Sequence, residues 1–164
     1  MHSAAGTLNL KAGGKPIAPP LAPDELSGLG ASWQWPVTAD PEEYNRRGVY
    51  LLVRRNIVYP MFEAFDAPNN SVSCPQRDVS SIAPQALWFL NNDVAFQQAR
   101  HLAARLRKEF GDSPESWVEV AWRLALGRKP SPEEKREGVD LISRLSLEKF
   151  CLSMFNLNEF SFVD

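Results

Sequence analysis

The polar residues between Phe62 and Asn92 have the types best suited to chemistry in this chain. Asp66 or Glu63 could serve as a general acid or base, and the guanidinium of Arg77 is of the kind that holds an anionic group. These side chains follow neither a helical nor a strand period, so secondary structure alone does not account for them. One hypothesis is therefore a hydrolase-type active site, or part of one, built from residues 63–85.

A folded loop explains the same residues without a reaction. Asp66 starts an Asp-Ala-Pro turn, and Arg77 pairs locally with Asp78. Both histidines lie outside this connector and the chain has no G-x-S-x-G motif, which argues against a Ser-His-Asp site. The two interpretations differ in whether Asp66, Arg77, Gln85 and Asn158 converge on one pocket that solvent reaches.

The two cysteines leave two alternatives open. Cys74 and Cys151 are either small buried thiols or a disulfide that joins the connector to the last helix. Neither has a second Cys or His at ligand spacing, so the sequence predicts no metal site, and no cofactor is predicted either.

Composition places the chain among ordinary globular domains. Its 164 residues are 44% hydrophobic and 23% charged, and the net charge of −2 does not favour a nucleic-acid partner. There is no apolar run near the ~20 residues that a bilayer span needs, so no transmembrane segment is predicted. The start of the chain lacks the apolar core of a signal peptide, and taken alone this indicates the cytoplasm.

Apolar stripes and capping residues predict a mainly α fold. The pattern favours a bundle of four or five short helices, at about 84–90, 93–110, 114–126, 132–145 and 147–157. The 114–126 helix is expected to bury Trp117, Ala121, Leu124 and Ala125. Gly138 should weaken the 132–145 helix by roughly 1 kcal/mol relative to alanine.

The N-terminal third is predicted to be extended. Residues 1–45 are rich in proline and glycine and should form an arm packed on the core, anchored by Trp33 and Trp35. A short β-strand is predicted near 48–54 from alternating apolar residues, with a short helix as the competing assignment. Residues 46–164 then form a single helical domain.

Several ordered motifs together resemble one known family, the planctomycete-specific C-terminal domain named domain of unknown function 1553. The resemblance covers about residues 4–164 and rests on these segments: RRGVY, FEAFDAPN, SCPQRDVSSIAPQALWFLNN, QARHLAARL, AWRLALGRKPSPEE and FCLSMFNLNEFSFVD. It implies motif positions at Arg46, Arg47, Asp66, Cys74, Arg77, Gln85, Asn91, Asn158 and Glu159. Those other than Asp66, Cys74 and Arg77 are candidate binding residues.

The resemblance also carries expectations about the setting of the chain. Family members are usually longer, with an upstream companion domain, often a cytochrome-c-like domain, and an export signal. This chain contains no CxxCH motif, so no haem role is transferred. The resemblance implies the C-terminal part of a larger exported or periplasmic protein, which leaves the compartment open. It supplies no reaction.

We therefore favour a non-catalytic structural or interaction module over an enzyme. Its expected partners are upstream domains of the same longer protein or a separate protein partner. Nearly every strong signal in the sequence is one of packing or capping, which motivates this preference.

Overall fold

A computed structural model describes residues 1–21, 26, 34–54, 59–65, 67 and 82–161, and these residues are mainly helical, as predicted. The chain forms two compact units. One comprises Met1–Thr7 and Gln85–Asp164, and the other comprises Leu8–Pro84. The predicted division into an arm (1–45) and a domain (46–164) stays a prediction.

The five predicted helices lie close to their expected positions, and three short ones (His2–Ala5, Pro60–Ala64 and Asn158–Ser161) were not predicted. In chain order they are α1 (His2–Ala5), α2 (Pro60–Ala64), α3 (Ile82–Asn91), α4 (Asp93–Phe110), α5 (Pro114–Leu126), α6 (Pro132–Arg144), α7 (Leu147–Phe155) and α8 (Asn158–Ser161). Two 3-10 helices, Pro41–Asn45 and Gly48–Tyr50, precede α2. No helix in the described part of the chain is long and apolar enough to cross a membrane.

Side-chain caps fix the starts of the major helices. The Asn92 side chain accepts a hydrogen bond from the Val94 amide at the start of α4, and the Ser113 side chain accepts one from the Ser116 amide at the start of α5. Ser131 and Glu134, which stand at capping-box spacing in the sequence, form such a box at α6. Each cap satisfies backbone N–H groups that have no partner within the helix, so the helices begin at these residues.

The core of the helical unit lies where α4 packs on α7. The predicted apolar stripe of α4 is buried, and it includes Leu102 and Leu106, both fully inaccessible. On α7, Phe150 and Phe155 are equally enclosed. Burial of each such large side chain contributes about 1.5–3 kcal/mol. The interface of α4 and α7 is thus the main apolar support of this unit.

Gly138 allows α6 to approach the core closely. A Cβ atom at this position would lie 2.9 Å from Val118 Cγ2 and 3.1 Å from Phe150 Cε2, both shorter than ordinary contacts. Gly138 therefore has two opposing effects on the 132–145 helix. The glycine lowers helix propensity, but it also lets α6 pack against α5 and α7 without a clash.

The first seven residues belong to the helical unit. The Arg105 guanidinium on α4 donates to the Ala4 carbonyl at 2.9 Å, and Gly6 ends α1 in the left-handed conformation with φ of 74°. Thr7 Oγ1 donates to Gln98 Oε1 at 2.5 Å, and Gln98 is buried. These contacts hold α1 against α4.

The strand predicted near 48–54 is wrong. Gly48–Tyr50 is a 3-10 helix, and the described residues after it include an isolated bridge between Leu51 and Ile17. The Ile17 amide donates to the Tyr50 carbonyl at 2.8 Å and the Leu52 amide donates to the Ile17 carbonyl at 2.7 Å. The next bond of a parallel ladder would need an N–H on Pro19, which proline lacks, so the pairing stops.

Trp35 anchors a small cluster within the second unit, while Trp33 lies outside the described residues, so the predicted anchoring of the arm on the core stays a prediction. Trp35 is buried with Ala18 and Leu21, and its indole donates to the Pro19 carbonyl at 2.6 Å. Its ring stacks on Tyr59 with centroids 6.3 Å apart. This small apolar cluster holds the proline-rich segment in place.

Candidate functional site

The candidate catalytic residues of the connector are not among those that the structure describes. Asp66, Cys74 and Arg77 lie outside the described residues, and so does the side chain of Glu63. The hypothesis of an active site built from residues 63–85 therefore stays a prediction.

Arg46 lies inside the second unit rather than at its surface. Its side chain is 1% exposed. Nε donates to the Lys11 carbonyl at 3.2 Å, one terminal nitrogen donates to Glu43 at 3.1 Å, and the other donates to the Gly13 carbonyl. The guanidinium thus holds two loops of its own chain together and is closed off from solvent.

Arg47 is exposed, and both arginines lie against the same tyrosine. The guanidinium carbons of Arg46 and Arg47 are 3.9 and 5.8 Å from the centre of the Tyr50 ring. The Gly13 amide donates to the Tyr50 oxygen at 3.2 Å. This hydrogen bond, followed by the one from Arg47, lowers the pKa of Tyr50. Of the two candidate arginines, Arg47 is the one open to a ligand.

The other candidates on the helical unit lie apart from one another. Gln85 is buried on α3, Asn91 is exposed at the end of that helix, and neither lines the cleft described below. Cys151 is a fully buried thiol in the structure, and burial raises its pKa to about 12. Cys74 lies outside the described residues, so the alternative of a disulfide between Cys74 and Cys151 stays a prediction.

Asn158 and Glu159 do come together, in a cleft of about 470 Å³ within the helical unit. The cleft lies among α5, α6, α7 and α8, and we refer to it as the Arg128 cleft. Its other lining residues are Trp122, Arg128, Glu134, Glu137, Gly138, Leu141, Phe150, Ser153 and Leu157. A volume of this size falls within the range of small-molecule and cofactor sites, about 300–1,000 Å³.

Arg128 joins two carboxylates at the rim of the cleft. It contacts both oxygens of Glu159, at 2.6 and 2.7 Å, and both oxygens of Glu134, at 2.7 and 2.9 Å. These charge-assisted bonds raise the pKa of Arg128 and lower that of Glu134 to about 2. The arrangement ties the α5–α6 loop to the start of α6 and to α8.

Three polar groups of the cleft have no partner within the described part of the chain. The Trp122 indole N–H is buried and makes no hydrogen bond, while the ring is stacked on Phe150 with centroids 5.9 Å apart. Among the described residues, Glu137 has no ion-pair partner and the Asn158 side chain has no hydrogen-bond partner. With three carboxylates and one guanidinium, the cleft carries a formal excess of two negative charges.

Sequence reasoning misses Trp122, Arg128 and Glu134 as members of one site. It identifies Glu134 only through the capping box, which is a local signal. The second bond of Glu134, to Arg128, depends on the path of the Gly127 loop, and no sequence spacing encodes it. Among the described residues, no three His, Cys, Asp or Glu side chains are grouped so that they could hold a metal ion.

Comparison with known proteins gives a family for the chain. Residues 1–142 match the family model described as PSD1, protein of unknown function (DUF1553). The match covers most of the chain, and the chain therefore belongs to this family, as the resemblance implied. No curated protein and no solved structure matches.

Proposed function

We propose that this member of the DUF1553 family is a non-catalytic interaction module that packs against another domain of a longer protein. The observation that carries the proposal is an apolar surface on α3. Leu87 and Leu90 are three residues apart, so they share a helical face, and they are 57% and 49% exposed. We refer to this pair as the α3 ridge.

The composition and packing of α3 support this role. Residues 82–91 include no charged side chain. Phe89 is buried, and its ring lies 6.0 Å from that of Phe160 on α8, so one side of the helix is fixed to its own unit. Exposed apolar surface on an uncharged helix is typical of protein interaction sites. Covering each leucine would contribute about 1.5–3 kcal/mol, less for the part already shielded.

Two arginines of the described residues support the same interpretation. Arg46 and Arg128 are engaged by carboxylates and carbonyls of their own chain. Such bonds stabilise loops and helix ends, and they engage the N–H donors of these guanidinium groups within the chain itself.

The test is self-association of the isolated chain, measured by sedimentation velocity across a concentration series. We expect the wild type to associate through its uncovered α3 ridge, and a Leu87→Glu/Leu90→Glu variant to be monomeric. Leu145→Glu is the matched control, because Leu145 is 65% exposed but follows α6, away from the α3 ridge in sequence. It should associate as the wild type does. A wild type that stays monomeric over the whole series contradicts the proposal.

A further inference from the structure

We infer that the Arg128 cleft binds a basic side chain, lysine or arginine, of a peptide segment. The inference deepens the proposed function and rests on it, since it takes the ligand to be part of a protein. It concerns a surface other than the α3 ridge and is testable separately. The negative charge of the cleft, its apolar floor and a side-chain amide without a hydrogen-bond partner each favour such a ligand.

Charge favours a cation. Arg128 is already held by both Glu134 and Glu159, so it offers little to an anionic ligand. Glu137 is exposed, lines the same cleft and makes no ion pair within the described residues. An ammonium or guanidinium group beside Glu137 would reduce the negative excess of the cleft, whereas a carboxylate would increase it.

The floor of the cleft suits the stem of a basic residue. Leu141, Phe150 and Leu157 line it, and Gly138 adds no side chain there. Lysine and arginine carry three or four methylene groups, which bury along apolar surface while the charged end stays among polar groups. A compact cation without a stem would leave this surface uncovered.

An amide with no partner suggests a peptide rather than a simple amine. Asn158 is exposed, lines the cleft and makes no side-chain hydrogen bond within the described chain. Its amide both donates and accepts, so it can bond the N–H and C=O groups of a peptide on either side of a basic residue. A simple amine offers no such backbone. Trp122 lines the same cleft, so its indole resonance reports on occupancy.

The test follows the indole resonance of Trp122 by NMR, assigned through Trp122→Phe, during titration of the full chain. The probe is Nα-acetyl-lysine N-methylamide, and the controls are the norleucine and glutamate analogues and n-butylamine. We expect a saturable shift with the lysine probe, with a Kd about threefold to fivefold below that of the norleucine analogue, as an exposed ion pair would give. The glutamate analogue should bind more weakly than either.

Two variants locate the interaction. Glu137→Gln should abolish the preference for lysine over norleucine, while Glu133→Gln, an equal charge change on the same helix outside the cleft, should preserve it. The Leu87→Glu/Leu90→Glu variant should bind the probe as the wild type does, so the two proposals fail independently. Equal binding of lysine and norleucine analogues, or no shift, overturns the inference. n-Butylamine binding as tightly as the lysine probe overturns its peptide part.

Discussion

Replacement of Gly138 by alanine tests whether α6 packs as closely as the geometry indicates. In an open helix this change stabilises by about 1 kcal/mol through propensity. Here the new methyl group would lie 2.9 and 3.0 Å from the two methyls of Val118 and 3.1 Å from the Phe150 ring. Rotation of Val118 cannot relieve both contacts, because its two methyl groups share one Cβ.

The destabilisation from these short contacts should therefore exceed the gain in helix propensity. Overpacking of a buried site costs about 1–3 kcal/mol, and three short contacts place Gly138→Ala near the upper end. The net effect is a loss of about 2 kcal/mol, which lowers Tm by roughly 4–8 °C for a chain of this length. Thermal and urea unfolding followed by circular dichroism in the far ultraviolet measure it directly.

A double-mutant cycle provides the control. Val118→Ala alone should cost about 2 kcal/mol, because it removes two buried methyl groups. In the double variant the methyl group added at position 138 occupies the space freed at position 118, so the combined loss should be about 2 kcal/mol rather than about 4. A stabilised Gly138→Ala variant, or strictly additive losses, would refute the close approach of α6 to α5.

Three further predictions concern buried or coupled polar groups. The pKa of Glu134 is lowered to about 2 from 4.5, so its contribution is complete above pH 4.5 and is lost as the pH falls towards 2. Arg128→Met should therefore make the free energy of unfolding depend less on pH between 4.5 and 2. Urea unfolding at successive pH values measures this. Arg46→Met should destabilise the second unit by about 2–3 kcal/mol in urea unfolding, because two loop carbonyls lose a charged donor while Glu43 keeps its ion pair with Lys11. The Cys151 thiol, with a pKa of about 12 and no exposure, should react with Ellman's reagent only on unfolding.

Each of these has a matched control. Parallel pH profiles for wild type and Arg128→Met would contradict the coupling to Glu134. Arg47→Met is the control for Arg46→Met, because Arg47 is adjacent but exposed, and equal losses would contradict the buried role of Arg46. In denatured, unreduced protein, two titratable thiols would exclude a disulfide between Cys74 and Cys151, and none would establish it.

Much of the helical unit could be predicted because its signals are local. Ser113, Ser131 and Asn92 lie next to the backbone N–H groups that they cap, so the start of each helix is encoded within three residues. The apolar stripe of α4 is unambiguous for the same reason. Neither feature depends on contacts with distant parts of the chain.

The buried face of α5 is harder to predict from the sequence. The expected stripe begins at Trp117, but the indole of Trp117 donates to the Gly111 carbonyl at 2.6 Å, and Val118 and Trp122 are buried with Ala121 instead. Either face is apolar enough to be buried. The choice depends on the neighbouring α6, which approaches at Gly138 and contacts Val118.

The 3-10 helix that replaces the strand predicted near 48–54, and the Arg128 cleft, could not be predicted for a related reason. A strand forms only when a second segment pairs with it. The segment that pairs with residues 51 and 52 contains Pro19, which is far away in sequence and cannot donate the next hydrogen bond. The cleft combines residues of a loop with residues of four helices that are distant from one another in sequence. No periodicity in the sequence connects Trp122, Arg128 and Glu159.

The interrupted pairing at Ile17 also bears on the solubility of the chain. An exposed row of backbone N–H and C=O groups can recruit strands from other molecules and seed aggregates. Pro16, Pro19 and Pro20 remove such donors on both sides of the paired Ile17. Substitution of the exposed Pro20 by valine would restore a donor on the edge that faces away from Leu52, and with it a template on which a second chain could grow.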